Sequence, residues 1–310
     1  MSASRWVEVE IDLNRARANA AEIYAQVKVP VWAVIKADAY GLGIDAVLPV
    51  LKDLVEGWCV FTLDEAESAH IWERTGKTSL ALSLADNENA AHYLAAHVRP
   101  AVWDVERAAA LRDARPILSV DTGMQRFACP AEQIDAVLSA GHCDEAFTHA
   151  TSLANVNRLR ELAGSRRLRL HAAGSSMLHE PQARLEAVRP GLALYRGAVR
   201  VTAPLIETHD TRGPAGYTGF RASRHGVIIA GYSNGIRPGP CMINGRPSRI
   251  IEVGMQSAFV ELAPGDRVGD RVVLLGDGVS EADVAAAWKT SPQEVLCRLC
   301  GAGNRRYMGS

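Results

Sequence analysis

A lysine at position 36 ends a run of apolar residues and precedes a turn with two glycines, in the segment VWAVIKADAYGLG at residues 31–43. A strand that ended at Lys36 would place its ammonium group at the rim of a buried core. Partial burial lowers the pKa of a lysine, so that the neutral amine can act as a nucleophile or a general base. A lysine at a strand end is more often solvated, so the chemical interpretation depends on other polar residues converging on it.

Strands and helices are predicted to alternate through the first two thirds of the chain. Helical spacing of alanine, leucine and charged residues occurs in segments such as 64–74, 130–140 and 155–163. Continuous apolar runs, typical of parallel strands buried on both faces, occupy residues 31–37, 58–63, 80–84, 100–103, 117–121, 145–149, 168–172 and 192–195. Eight such strands predict an α/β fold with a (β/α)8 TIM barrel.

A second, mostly β domain is predicted to begin near Val199. Helical spacing disappears after Arg196, and short apolar runs separated by Gly and Pro turns follow. These runs occupy residues 226–230, 249–253, 259–262 and 271–275. The predicted domains are therefore residues 1–198 and 199–310, and the N-terminal run at residues 7–13 could join either of them.

Polar residues near the ends of the predicted barrel strands would share one rim. Active sites of this fold lie at the C-terminal ends of the strands, and phosphate often binds after strands seven and eight. The polar residues in question are Lys36, Asp121, Arg126, His149, His171, Ser175 and Arg189. Their convergence favours a chemical role for Lys36.

Composition excludes some classes of partner. The chain has 34 basic and 35 acidic residues and a formal net charge of −1, which gives no reason to expect nucleic acid binding. The N-terminus lacks a basic segment followed by an apolar stretch, and no apolar run approaches membrane-spanning length, so we expect a cytoplasmic protein without membrane contact. The six cysteines are expected to be reduced. Cys297 and Cys300 form a C-x-x-C, but two small apolar side chains near a terminal strand are preferred over a metal or redox site.

Several motifs resemble, in order, those of the pyridoxal phosphate (PLP)-dependent alanine racemases of fold type III. They are AVIKADAYGLG (33–43), VDTGMQRF (120–127), FTHA (147–150), VRPGLALY (188–195), AGYTGF (215–220), GYSNG (231–235) and VGMQ (253–256). The resemblance covers nearly the whole chain. It implies a barrel followed by a β domain, the cofactor pyridoxal 5'-phosphate, and a head-to-tail homodimer whose active sites contain residues of both subunits.

The resemblance assigns catalytic roles to two residues. Lys36 would hold PLP as a Schiff base, release it to form the external aldimine with the substrate, and act as a base on one face of the α-carbon. Tyr217 of the partner subunit would act on the opposite face. Arg189 would face the pyridine nitrogen and, unlike a carboxylate, would not keep it protonated. His149 would pack against the cofactor ring.

The resemblance also assigns binding roles. Phosphate contacts are implied for Tyr40, Ser175 and the backbone at Gly191 and Leu192. Substrate carboxylate contacts are implied for Arg126 and for the backbone of Met255 from the partner subunit. Tyr232 and Arg237 resemble residues of the channel that leads to the site.

The chain departs from the family pattern at several positions near the site. Ser119 stands where most members have a carbamylated lysine that positions the site arginine. Gln256 replaces an aspartate, and Gly301 replaces a tyrosine that touches the phosphate. These changes would remove bulk and charge, so they concern substrate choice more than reaction type.

Three functions remain open from the sequence. The first is an alanine racemase that supplies D-alanine for peptidoglycan precursors, with specificity relaxed toward serine or similar substrates as an open question. The second is a PLP-binding homologue without racemase activity that acts as a cofactor carrier or regulator, although retention of both Lys36 and Tyr217 weighs against it. A decarboxylase of similar architecture ranks last, because it would need a carboxylate where this chain has Arg189.

Overall fold

The computed structural model describes residues 6–84 and 89–309, which fall into two compact units. The barrel unit contains residues 17–39 and 44–194, and the C-terminal unit contains residues 6–16, 40–43 and 195–309. The N-terminal run joins the C-terminal unit. The division into functional domains at 198 and 199 stays a prediction.

The strands and helices of the two units are as follows. The strands are β1 (Glu8–Asp12), β2 (Trp32–Val34), β3 (Gly57–Val60), β4 (Ser79–Ala81), β5 (Val98–Val102), β6 (Ile117–Ser119), β7 (Glu145–Ala150), β8 (Arg169–Ala173), β9 (Val199–Asp210), β10 (Arg224–Ile228), β11 (Gly239–Ile243), β12 (Arg246–Val253), β13 (Ala258–Glu261), β14 (Arg271–Leu275) and β15 (Asn304–Met308). The helices are α1 (Leu13–Val27), α2 (Lys36–Tyr40, a left-handed turn), α3 (Ile44–Leu51), α4 (Leu63–Ser68), α5 (Ile71–Thr75), α6 (Ala90–Ala95), α7 (Val105–Ala110), α8 (Ile134–Gly141), α9 (Leu153–Ala163), α10 (Leu192–Tyr195), α11 (Glu281–Trp288) and α12 (Pro292–Leu299). Short 3-10 turns occur at Lys52–Leu54, Arg112–Ala114, Ala131–Gln133, Ser175–Met177, Pro181–Ala183 and Tyr232–Asn234.

The barrel unit is a curled parallel sheet in the order β2 to β8, with helices between the strands. Residues 186–190 complete the ring, because Ala187 bridges His171 of β8 and Val188 bridges Val31 beside β2. The backbone N–H of Trp32 donates to the carbonyl oxygen of Val188 at 2.9 Å. The predicted α/β barrel class is thus confirmed. The predicted eighth strand at residues 192–195 is wrong, because that segment forms α10.

The apolar runs end up in the barrel core, as expected for strands covered on both faces. Every residue of β3 is buried, and Trp58 and Cys59 have no exposed surface. Side-chain caps start the outer helices: Thr62 accepts from the N–H of Glu65 before α4, and Asp104 accepts from that of Arg107 before α7. These caps fix where each strand-to-helix loop at the rim ends.

The C-terminal unit is built around a mostly antiparallel sheet in the order β10-β13-β12-β11-β14-β9-β1-β15, in which β1 and β15 pair in parallel. The twelve-residue strand β9 also pairs with β10, so six of these strands close on themselves. The predicted mostly β domain is confirmed. The predicted disappearance of helical spacing after Arg196 is wrong for two segments, because α11 and α12 lie in this unit. Each of these helices is preceded by a capping serine, Ser280 and Ser291. Cys297 lies on α12 and Cys300 caps this helix four residues before β15, where its carbonyl oxygen accepts from Nε of Arg305 at 3.0 Å.

Within residues 6–84 and 89–309, no helix combines the length and the apolar character needed to cross a bilayer.

Candidate active site

Lys36 opens a left-handed turn at the end of β2. Ala37, Asp38, Ala39 and Tyr40 have φ values of 55°, 55°, 52° and 59°. For L-residues this conformation costs about 1–2 kcal/mol per residue, so four in succession need support from their surroundings. Strain of this kind concentrates at functional sites, where the surrounding structure holds a side chain in a required direction.

Glu65 at the start of α4 supplies much of that support. Its Oε1 accepts from the N–H of Ala37 at 3.0 Å, and its Oε2 accepts from the N–H of Phe61 at 2.6 Å. One carboxylate therefore ties the turn after β2 to the loop after β3. The half-buried Lys36 lies beside this loop, with Nζ 5.6 Å from the centre of the Phe61 ring.

Arg189 lies in a buried cradle formed by β7 and β8. Its Nη2 donates to the carbonyl oxygen of Thr148 at 2.6 Å, and its Nη1 donates to the carbonyl oxygen of His171 at 3.1 Å and to Nδ1 of the same residue at 2.6 Å. Its guanidinium carbon lies 4.6 Å from the centre of the Phe147 ring. Only 6% of Arg189 is exposed, so its guanidinium is fixed in place.

The charge of Arg189 has no counterion in the described part of the chain, where no carboxylate approaches within salt-bridge distance. Burial lowers its pKa to about 10, which still leaves it protonated at neutral pH. A buried cation held only by neutral acceptors suits a further neutral acceptor, such as the nitrogen of an unprotonated pyridine ring. The donor set thus fits the ring of pyridoxal phosphate.

Behind Arg189, the buried His171 continues the polar chain toward Glu145. Nε2 of His171 lies 3.7 Å from Oε2 of Glu145, and within the described residues it has no hydrogen-bond partner. Glu145 is itself buried and ion-paired with Arg99. Burial and repulsion by Arg189 hold the pKa of His171 well below its ordinary value, so its imidazole is neutral.

His149 lies in β7, with its side chain accessible at the rim. Desolvation, together with repulsion by Arg189, Arg126 and Lys36, lowers its pKa to about 4. The structure therefore brings these four predicted residues into one electrostatic neighbourhood. A neutral imidazole can pack against a ring without adding a further cation.

Ser175 joins two predicted phosphate-binding segments. Its Oγ accepts from the N–H of Gly191 at 2.9 Å and from that of Ala193 at 3.0 Å. Leu192 begins α10 between them. The hydroxyl thus holds together the turn and the helix start where the sequence predicted phosphate contacts.

Arg126 lies in the exposed loop between β6 and the next helical turn. Asp121 shapes this loop, because its Oδ1 accepts from the N–H groups of Gly123 and Gln125 at 2.8 and 3.1 Å. Asn155 donates to the carbonyl oxygen of Thr122 at 2.9 Å and ties the loop to α9. Ser119, which the motif resemblance aligns with a lysine of most members, is buried at the end of β6.

Three other predicted residues gather within the C-terminal unit. The N–H of Tyr232 donates to the carbonyl oxygen of Gly254 at 2.9 Å, next to Met255. A Cβ on Gly254 would lie 3.3 Å from the ring of Tyr217, so the segments that carry all three residues pack together. The side chains of Tyr217, Tyr232 and Met255 are 83%, 57% and 61% exposed. Large side chains this exposed are typical of an interaction surface.

The remaining predicted residues of the C-terminal unit have other neighbours. Tyr40 is buried and its ring centre lies 5.3 Å from that of Tyr195. Arg237 pairs with Glu294 at 3.2 Å and lies over the ring of Trp288. Structure alone leaves the proposed roles of Tyr40 and Arg237 as predictions.

Sequence reasoning missed the residues that support the site. Glu65 lies in a helix and Glu145 lies in a strand, and neither position is unusual in the sequence. Each side chain contacts a residue in or beside a different strand, so no local sequence pattern marks it. A histidine near the end of a predicted buried strand, such as His171, is a usable signal of a functional role.

Family models match most of the chain. The model for the alanine racemase N-terminal domain matches residues 11–199, and the model for the alanine racemase C-terminal domain matches residues 214–307. The chain belongs to the alanine racemase family. Relatives in this family include the biosynthetic alanine racemase of Escherichia coli strain K12, 29% identical over an alignment that covers 89% of this chain and 91% of the relative.

Solved structures of alanine racemases share the fold. The biosynthetic enzyme of Pseudomonas aeruginosa superposes with a TM-score of 0.88 at 23% identity, over 100% of both chains. The alanine racemase of Bartonella henselae, solved with covalently bound pyridoxal phosphate, gives a TM-score of 0.84 at 20% identity over 98% of this chain and 100% of the other.

Proposed function

We propose that this protein is an alanine racemase that interconverts L-alanine and D-alanine with pyridoxal 5'-phosphate. The observation that carries the proposal is the buried Arg189 cradle, a cation whose partners among the described residues are neutral, in the same unit as Lys36 at the rim. Membership of the family supports it independently.

The residues of this chain suit the parts of the cofactor. Lys36 would bind it covalently, Arg189 would face its ring nitrogen, and His149 would flank the ring. Its phosphate would lie near Tyr40, Ser175, Gly191 and Leu192. When bound, pyridoxal phosphate withdraws electrons from the α-carbon of an amino acid and makes its proton removable.

Arg189 would limit how far that withdrawal goes. It donates hydrogen bonds to Thr148 and His171, and at a pKa of about 10 it does not give up a proton readily at neutral pH. A ring nitrogen facing it would stay unprotonated, so charge would stay near the α-carbon and the proton would return there. This favours racemisation over decarboxylation or transamination.

Two bases on opposite faces are needed to invert a stereocentre. Lys36 would hold or remove the proton on one face through its amine, and Tyr217 of the partner subunit would do so on the other through its phenolic oxygen. Arg126 and the backbone of the partner's Met255 would orient the substrate carboxylate. This assignment requires a head-to-tail homodimer, and the exposed Tyr217, Tyr232 and Met255 are suited to such an interface. We place the enzyme in the cytoplasm, supplying D-alanine for peptidoglycan precursors.

The proposal is tested by incubating the PLP-loaded protein in deuterium oxide with each enantiomer of alanine, and then of serine, lysine and glutamate. Proton NMR measures α-deuterium, and chiral analysis measures inversion. Inversion of alanine from both enantiomers, with deuterium at the α-carbon, is the expected result. Bound cofactor with neither exchange nor inversion would overturn the proposal and favour a PLP-binding homologue.

Two variants test whether Tyr217 acts on one face of the substrate α-carbon. Tyr217→Phe should retain the cofactor and exchange of the α-proton by Lys36 but lose inversion by about 10²–10⁴-fold, the usual contribution of a general acid or base. Tyr24→Phe, at an exposed tyrosine of α1 that has no proposed role in the site, serves as the control. Equal inversion by Tyr217→Phe and the unmodified protein would remove Tyr217 from the mechanism.

A further inference from the structure

The segment that carries Tyr217 is a tight turn with few restraints of its own. Ala215 and Phe220 form an isolated antiparallel bridge, and the N–H of Ala215 donates to the carbonyl oxygen of Phe220 at 3.0 Å. Gly216 and Gly219 have φ values of 69° and 70°. The Tyr217 side chain projects from this turn and is 83% exposed. Something outside the turn must therefore fix its direction.

One buried carboxylate, that of Glu252 in β12, contacts the turn at Tyr217 itself. Its Oε1 accepts from the N–H of Tyr217 at 2.7 Å, and its Oε2 accepts from the N–H of Thr218 at 2.8 Å and from the Thr218 hydroxyl. Burial opposes ionisation, but these three hydrogen bonds lower the pKa of Glu252, so it is an anion at neutral pH. Hydrogen bonds to an ionised acceptor are about twice as strong as neutral ones.

Glu252 lies on the buried face of β12, beside a change of register in the pairing with β13. The pairing with β13 shifts between Ile250, opposite Val260, and Glu252, opposite Phe259, so Ile251 is an extra residue. Glu252 is 7% exposed and alternates with the more accessible Ile251 and Val253, so its side chain lies on the buried face of the strand.

Gly216 leaves room for this contact. A Cβ at this position would lie 2.6 Å from Oε1 of Glu252 and 2.7 Å from the ring of Phe220. The preceding glycine of the same loop, Gly213, also has a positive φ of 71°, but a Cβ there would meet nothing within 4 Å. The tight approach is thus specific to the residue next to Tyr217.

We infer that Glu252 is the positioning residue for Tyr217. It fixes the peptide groups on both sides of the Tyr217 Cα, and therefore the direction in which the phenol leaves the backbone. The inference rests on the proposed function, in which that phenol serves as a base in the partner subunit's site. Displacement of a reacting group by about 1 Å can cost about 10²-fold in rate.

The first test is Glu252→Gln in the PLP-loaded protein. Glutamine keeps one carbonyl oxygen but turns its NH2 group toward a backbone donor, so one of the two amides loses its acceptor. Glu261→Gln, an exposed carboxylate on the adjacent strand that pairs with Arg249, is the matched control. Hydrogen exchange at the Tyr217 and Thr218 amides should accelerate at least tenfold in Glu252→Gln and stay unchanged in Glu261→Gln.

A second readout separates positioning from general destabilisation. Glu252→Gln should lower the ratio of inversion to α-proton exchange, because Lys36 still exchanges the proton on its own face. A purely structural defect would lower inversion and α-proton exchange by the same factor, and this result would overturn the inference. Unchanged exchange of the Tyr217 and Thr218 amide hydrogens would also overturn it. If the unmodified protein shows no inversion, the proposed function fails, while amide exchange still reports separately whether Glu252 holds the turn.

Further variants cover the case in which Glu252→Gln does not fold. Thr218→Ala removes one hydrogen bond and leaves the carboxylate in place, and Thr218→Ser should restore both the slow amide exchange and the inversion ratio. Gly216→Ala should reproduce the Glu252→Gln effects, whereas Gly213→Ala should not. If Gly216→Ala and Gly213→Ala behave alike, the close approach of Gly216 to Glu252 has no role in positioning Tyr217.

Discussion

Nη1 of Arg189 lies 2.6 Å from Nδ1 of His171. Because a guanidinium can only donate, Nδ1 accepts and the proton of the neutral imidazole lies on Nε2. Nε2 faces the Glu145 carboxylate at 3.7 Å. The cation at the proposed cofactor ring therefore fixes the tautomer of His171, whose Nε2–H lies near a carboxylate buried deeper in the barrel but does not form a hydrogen bond with it.

Replacing His171 should show how much its Nδ1, as an acceptor for Arg189, contributes to the free energy of unfolding. His171→Leu leaves one N–H of Arg189 with a weaker set of acceptors and should lower the free energy of unfolding by about 1–3 kcal/mol. His171→Asn places an amide oxygen near the position of Nδ1 and should recover much of this loss. Urea unfolding of both variants measures the difference, and equal destabilisation would show that the acceptor is unimportant.

The two histidines of the site should make stability depend on pH. In the folded protein the pKa values of both histidines lie below the ordinary value of 6.5. The pKa of His149 is about 4, and that of His171 is well below its ordinary value. Between pH 6.5 and about 4 the unfolded chain binds more protons, so the free energy of unfolding falls as pH falls.

His171→Asn removes one of these groups and should flatten that dependence. The measurement is urea unfolding of cofactor-free protein at several pH values, since a bound ligand would add its own linkage. His179→Asn, at an exposed histidine of the same unit, is the matched control substitution. A slope that is the same in all three proteins would contradict the assignment of a lowered pKa to His171.

The barrel could be predicted from the sequence because its strands are continuous apolar runs. The segment that completes the ring in place of an eighth strand could not be predicted. Four apolar residues at 192–195 are compatible with either a strand or a helix. The ring is instead completed by residues 186–190, which contain Arg189 and Pro190. Pro190 has no N–H to donate, so the segment makes only isolated bridges and gives no strand pattern.

Ser175 should contribute to cofactor affinity and not only to local structure. Ser175→Ala removes the acceptor for the N–H groups of Gly191 and Ala193 and one hydroxyl from the proposed phosphate site. We expect the dissociation constant for pyridoxal phosphate to rise about tenfold, a loss of about 1.4 kcal/mol. Ser176→Ala, at the exposed next residue, is the control. Titration followed by cofactor absorbance measures both, and equal affinities would exclude a role for the Ser175 hydroxyl.

Glu65 should stabilise the turn beside Lys36. Glu65→Ala leaves the N–H groups of Ala37 and Phe61 without their acceptor and should cost about 1–3 kcal/mol of unfolding free energy. Hydrogen exchange at the Ala37 amide should accelerate in this variant. Glu67→Ala, at an exposed position of the same helix, is the control, and similar behaviour of the two variants would show that the bridge does not support the turn.

The sequence motifs mark only the residues that are proposed to act directly. Lys36, His149, Arg189 and Ser175 stand in short recognisable segments at strand ends. Glu65 and Glu252 act through backbone N–H groups brought near by folding, and such contacts leave no spacing in the sequence. The sequence could likewise not show that Glu252 lies on the buried face of β12.

The turn that follows Lys36 has the handedness of a mirror-image peptide. An L-residue is disfavoured in this conformation because its Cβ crowds the following carbonyl oxygen, whereas a D-residue meets no such clash. Ala37 is exposed and stands at the start of the turn, so its methyl group could change sides without disturbing a core. Next to the lysine proposed to invert alanine, the backbone is thus shaped to favour the D form of alanine over the L form that the ribosome installs.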